Sequence, residues 1–184
     1  MQRFDEVRLL ESLEALPVSA QSAFAQACAL RTLAINPIEY RPLGVPVEFS
    51  DGARALCERA MGVAVTLPVT PGNHQSVARA LLADFENSPD LDDDRVATWA
   101  YVIRHLLSGN PQEATWAARR AYEARDVVAQ RRIPVEEYSE RSGAHLLADP
   151  GVQEELTNQA NDLAQLSRDP TRAEAIISRA REHG

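Results

Sequence analysis

The sequence predicts an all-α fold: one domain over residues 1–184, built as a single-domain multi-helix bundle of about seven to eight helices with short connections. Three observations carry this. Apolar residues recur at helical spacing along nearly the whole chain. Asx-Pro pairs at Asn36-Pro37, Asn110-Pro111, Asp149-Pro150 and Asp169-Pro170 mark helix starts, because the Asx oxygen accepts an orphan backbone N–H and proline at the first helical position leaves none unpaired. The one β-like run, Val63-Ala64-Val65-Thr66-Leu67-Pro68-Val69-Thr70-Pro71, is interrupted by two prolines and reads as an extended loop.

Taken in order, a first helix is expected near 4–16, with Leu9, Leu13 and Leu16 on one face, and a second near 19–35, with Phe24, Ala27, Cys28 and Arg31 in register. Pro17 separates them. Residues 36–50 carry three prolines and read as a connector. Ser50 or Asp51 then caps a helix near 52–63. Val77, Leu81 and Phe85 space a helix near 73–87, and Val96, Trp99, Ile103 and Leu106 space another near 91–108, which Gly109 ends in the left-handed conformation. Asn110 starts a long helix near 111–132 whose inner stripe, Ala114, Ala117, Ala118, Ala121, Ala124 and Val128, is small enough to let a neighbour approach closely. Asn36 with Glu39, and Asn110 with Glu113, have capping-box spacing. Pro134 stops the long helix. A short piece near 135–147 follows, then a helix near 150–167 with Val152, Leu156, Leu163 and Leu166, and a last one near 170–182 with Ala173, Ile176, Ile177 and Ala180.

Composition narrows the chemistry. All 19 basic residues are arginine, so Schiff-base chemistry, pyridoxal-phosphate attachment and a P-loop lysine are excluded. Against them stand 27 carboxylates and a net charge of −8, which opposes nonspecific attraction to nucleic acid or anionic membrane. Cys28 and Cys57 lie in apolar-periodic segments and read as buried free thiols in a reducing compartment. The N-terminus lacks the apolar core of a signal peptide, and no run approaches the roughly 18 apolar residues of a membrane span, so a soluble, cytoplasmic protein is expected.

The eight glycines are scattered, and no GxGxxG, GxxxxGK or GxSxG motif occurs. His74, His105, His145 and His183 match neither ExxH nor HExxH spacing, so no metal site, no cofactor and no catalytic set is assigned. Candidate binding residues come from three features. Asp84, Glu86, Asp90, Asp92, Asp93 and Asp94 crowd eleven residues; helix capping accounts for some of these charges, and the surplus suggests a docking surface for a basic partner or a weak divalent-cation site. Arg119, Arg120, Arg125, Arg131 and Arg132 form the opposite stretch, with Trp116 and Tyr122 nearby and Glu123 and Asp126 as local ion-pair partners. Tyr101 and His105, one turn apart, are spaced for a buried hydrogen-bonded pair. The candidates are therefore Asp90, Asp92, Asp93, Asp94, Tyr101, His105, Arg119 and Arg120.

The stretches Leu9-Leu10-Glu11-Ser12-Leu13 and Gln21-Ser22-Ala23-Phe24-Ala25-Gln26-Ala27-Cys28-Ala29-Leu30-Arg31, with Pro37 and Tyr40 after them, carry a family likeness. So do Leu107-Ser108-Gly109 before the Ala-rich helix and Asp149-Pro150-Gly151-Val152-Gln153-Glu154-Glu155. In these segments, which run over most of the chain, the sequence resembles the YjaG-like family of small all-helical bacterial proteins of unknown function. The resemblance implies one all-α domain in a bacterial cytoplasm and brings no catalytic residues.

The functional expectation is a non-enzymatic protein–protein interaction module, an adaptor, a neutraliser of a basic partner or a self-associating protein, acting through the charge-polarised surface. The alternative is a small-molecule binder or enzyme with an inter-helix site using carboxylate, tyrosine and histidine side chains. A third reading, weak nucleic-acid binding through the arginine-rich helix, is disfavoured by the net charge.

Overall fold

The computed structural model describes residues 1–36, 49–66, 73–133 and 142–182. Among the described residues there are nine α-helices, a 3-10 turn and no strand: α1 (Glu6–Glu14), α2 (Val18–Leu33), α3 (Asp51–Thr66), α4 (Asn73–Glu86), α5 (Asp94–Ser108), α6 (Pro111–Arg131), α7 (Ser142–Ala148), α8 (Pro150–Arg168), the 3-10 turn Pro170–Arg172, and α9 (Ala173–Glu182). The all-α class expected from the sequence is what the structure has. The ninth helix is α7, which arises from the short piece anticipated before Asp149. The Asn36-Pro37 start with its Glu39, the Pro134 stop, and most of the connector at 36–50 lie outside the described residues.

The second helix is the axis of the bundle. Every residue from Ala20 to Thr32 is buried, so beyond its first turn α2 has no solvent face. A helix enclosed in this way loses the one-sided apolar stripe of a surface helix. It packs against α5, α6, α8 and α9. Its polar residues are therefore obliged to find partners inside. Gln21 Nε2 donates to the carbonyls of Leu13 and Leu16, both at 2.9 Å, which satisfies the open C-terminal end of α1 across the Pro17 corner. The Thr32 hydroxyl donates to Ala29 O at 2.7 Å.

Around this axis, α5 and α6 form a tight helical hairpin. Gly109 adopts φ 66° and returns its N–H to His105 O, while Asn110 Oδ1 accepts the Gln112 N–H at 3.1 Å and Pro111 opens α6. The small stripe of α6 is buried as expected: Ala114, Ala117, Ala118 and Ala124 are fully enclosed. Without side chains beyond Cβ on this face, the α2, α5 and α6 backbones come close enough to share one core with Phe24, Trp99 and Ile103.

Asp149 caps α8 by accepting from Gly151 N at 2.8 Å and Val152 N at 3.4 Å, and Asp169 caps the 3-10 turn through Thr171 N at 3.0 Å. Ser50 rather than Asp51 caps α3, accepting from Ala53 N at 3.0 Å. Three local expectations are corrected. Val63 to Thr66 continue α3 instead of entering an extended loop, because burial of Ala64 against the core outweighs the β preference of its neighbours. Val77 is 50% exposed and Ala78 takes the inner position of α4 beside Leu81 and Phe85. The capping box at Asn110 does not close: Ser108 Oγ accepts the Asn110 N–H at 3.1 Å, and Glu113 is left with a buried, unpartnered Oε2.

Candidate functional site

Beneath the surface lies a charged cluster that holds α8 and α9 to the central helix. Arg31 of α2 forks onto Glu155 of α8, Nε to Oε2 at 2.8 Å and Nη2 to Oε1 at 3.1 Å, and its Nη1 donates to Asp162 Oδ2 at 2.8 Å. Asp162 Oδ1 accepts from Arg179 of α9 at 2.6 Å. Gln159 completes the set by donating to Glu155 Oε1 at 2.9 Å and to Ala118 O of α6 at 3.0 Å. Two arginines face two carboxylates, so the cluster is neutral, and its Arg31–Glu155 pair is bidentate. Burial pulls the Arg31 guanidinium toward a lower pKa, but Glu155, Cys28 and Asp162 outweigh it and raise the value. The sequence signal was present: Glu155, Gln159 and Asp162 follow at i, i+4 and i+7 on one face of α8.

The acidic stretch is largely satisfied within the chain. Asp84 pairs with Arg59 and Glu86 with Arg104, Asp90 Oδ2 accepts from Ser50 Oγ at 2.8 Å, Asp93 caps α5 and pairs with buried Arg95, and Asp94 pairs with Arg120 at 2.9 Å. Arg95 in turn lies over the Phe49 ring, 4.4 Å from its centroid. Asp92 is exposed. The two stretches of opposite sign thus meet each other at Asp94 and Arg120. On the arginine side, Arg119 pairs with Glu123 at 2.8 Å and Glu6 at 3.2 Å, and Arg120 adds Glu123 at 3.2 Å.

Tyr101 and His105 do not pair. The Tyr101 ring tilts against Trp116 with centroids 5.5 Å apart, and Arg104 sits over it at 5.4 Å. His105 is fully buried, and its Nδ1 bonds Asn110 O at 2.9 Å. Because a carbonyl only accepts, Nδ1 carries the proton, and the ring serves the α5–α6 turn. His105 and the acidic residues at 90–94 therefore belong to separate environments. Among the described residues, no group of three or more His, Cys, Asp and Glu side chains is placed to hold a metal ion.

What does open to solvent lies at the N-terminus, where Phe4 and Asp5, expected within the first helix, precede it, Asp5 as its cap. Residues 1–5 form a strap across the bundle. Gln2 and Gln153 exchange two hydrogen bonds of 2.9 Å, Gln2 N to Gln153 Oε1 and Gln153 Nε2 to Gln2 O, and Phe4 stacks on Tyr122 with centroids 5.4 Å apart. A cleft opens on either side. The first, about 550 Å³, runs between the strap with α1 and the outer side of α8; Leu9, Leu156 and Leu163 give it apolar walls, and Gln2, Arg3, Arg8 and Gln159 contribute polar groups. The second, about 640 Å³, lies toward α6 and α7 and is lined by Arg119, Glu6 and Glu123 together with Tyr122 and Leu147. Both α1 and α8 rest on α6, which fixes the walls of the first cleft relative to each other.

The all-α class and an open inter-helix cleft are what fold and surface define. No protein-family model, curated protein or solved structure matches the chain. Among the described residues, no helix is long and apolar enough to cross a membrane.

Proposed function

We propose that the chain is a non-enzymatic binding protein that takes a small ligand in the cleft between α1 and α8. The observation that supports this reading most directly is the cleft itself: at about 550 Å³ it has the size of small-ligand sites, with leucine walls and polar side chains beside them. The polar groups available there suit binding better than chemistry. Ser12 Oγ donates to Arg8 O, and Asp5 accepts the Arg8 N–H as the cap of α1. The neutral cluster under α8 anchors one wall, since Gln159 lines the cleft and is held by both Glu155 and Ala118. The competing reading, docking of a protein partner on the charged stretches, draws less support, because Asp93, Asp94, Arg119 and Arg120 are engaged within the chain.

Ala160 and Ala164 line the cleft from exposed positions of α8, so Ala160→Trp and Ala164→Trp fill it without touching the core. Nile red, a neutral apolar dye, is expected to gain fluorescence with the parent protein and to lose most of that gain with either variant. Equal dye binding by all three proteins would move the site elsewhere.

A further inference from the structure

We infer that the ligand is a single-chain amphiphile with an anionic head, a carboxylate or a phosphate, held by Arg3 and Arg8, its apolar tail lying over Leu9, Leu156 and Leu163. The inference rests on the cleft reading above and adds the chemical class. Three observations carry it. Arg3 and Arg8 both line the cleft, both are exposed, and neither guanidinium has a carboxylate partner among the described residues. Among the described residues Asp5 is the one carboxylate of the lining, and its Oδ1 is committed to the Arg8 N–H at 3.1 Å. Two cations thus face one carboxylate, a local positive excess in a chain whose net charge is −8.

The neighbouring cleft sharpens the contrast. Arg3 borders that cleft too, but there Arg119 is bonded to both Glu6 and Glu123, so two carboxylates match the two cations of its lining. In the first cleft the Arg3 and Arg8 guanidinia, unpaired among the described residues, can fork onto incoming oxygens in the geometry that guanidinium and carboxylate or phosphate share. An anion without a tail would meet only exposed arginines in high dielectric, where such pairs are weak, and a tail without a head would leave both arginines unused. The combination fits an amphiphile.

The test is calorimetric titration of the full chain with dodecanoate, dodecyl phosphate, dodecanol and acetate. The expected result is one-to-one binding of at least one of the two long-chain anions at least about tenfold tighter than dodecanol, with no measurable binding of acetate. The tighter of the two anions assigns the head group. Arg3→Gln with Arg8→Gln should remove the preference for the anion while leaving dodecanol affinity in place, and Ala160→Trp should weaken all long-chain ligands. Dodecanol binding as tightly as both anions, or a preference that survives loss of both arginines, overturns the inference and leaves the cleft reading standing. No binding of Nile red or of any long-chain ligand overturns both.

Discussion

Arg31 and Glu155, 124 residues apart in sequence, face each other as a two-pronged guanidinium–carboxylate pair, with Nε–Oε2 at 2.8 Å and Nη2–Oε1 at 3.1 Å. Both side chains are almost wholly withdrawn from water, so each carries a desolvation cost that the other, with Asp162 and the Gln159 amide, offsets. Arg31→Met leaves Glu155 and Asp162 in each other's field, with the half-exposed Arg179 bonded to Asp162. A loss of about 3–5 kcal/mol in chemical denaturation is expected. Replacing Arg31, Glu155 and Asp162 together by apolar residues of similar volume should recover most of that loss, and a triple variant weaker than Arg31→Met would contradict the account.

Gly109 isolates a backbone effect. A Cβ built there would meet only the Val18 methyls, at 3.8 and 3.9 Å, which is ordinary contact. The cost of Gly109→Ala is therefore that of holding an L-residue at φ 66°, about 1–2 kcal/mol. Gly109→Asn should lose less, since asparagine tolerates this region better. Equal melting temperatures for parent and alanine variant would show that the α5–α6 turn relaxes to another conformation.

Glu113 should reveal itself through pH. Burial raises its pKa above the ordinary glutamate value, with Arg104 opposing, so the folded state holds this proton more tightly than the unfolded chain does. Its favourable contribution is present below the unfolded pKa and is lost as pH rises through the folded value. Glu113→Gln is then more stable than the parent at about pH 7, and the two converge toward about pH 3.5. Thermal melts across that window check the sign; a variant less stable at neutral pH would mean the carboxylate has a donor after all.

The two thiols should be silent in the native protein. Burial pushes Cys28 well up, against the pull of the Arg31 guanidinium, and pushes Cys57 up to about 12, with Asp93 adding to the effect. Almost no thiolate exists at neutral pH, and both sulfurs are inaccessible. Labelling by a disulfide reagent should proceed only at the rate of unfolding, and a fast native phase would locate an opening near α2 or α3.

Where the determinants of structure were local, the sequence carried them plainly. Asp149, Asp169, Gly109 and the alanines of α6 act within a turn or two of themselves, and each does what its chemistry predicts. Charge was harder to read, because the partner of a side chain depends on which helices meet. Asp94 and Arg120, read as members of two opposed surfaces, are joined across the α5–α6 hairpin. Arg31 was placed correctly in helical register, yet nothing near it announced that Glu155 and Asp162 would close around it from the far end of the chain. The strap was invisible for a similar reason: Gln2 and Phe4 gain meaning only from Gln153 and Tyr122.

The central position of α2 has a consequence for synthesis. Its widest contact is with α9, and α5, α6 and α8 supply the rest of its sheath. During translation, residues 18–33 leave the ribosome long before residues 173–182 exist, so a helix buried from Ala20 to Thr32 in the finished fold waits uncovered while nearly all of its covering is made. A chain threaded in this order keeps apolar surface open to water until its later helices are made, the circumstance in which aggregation competes with folding.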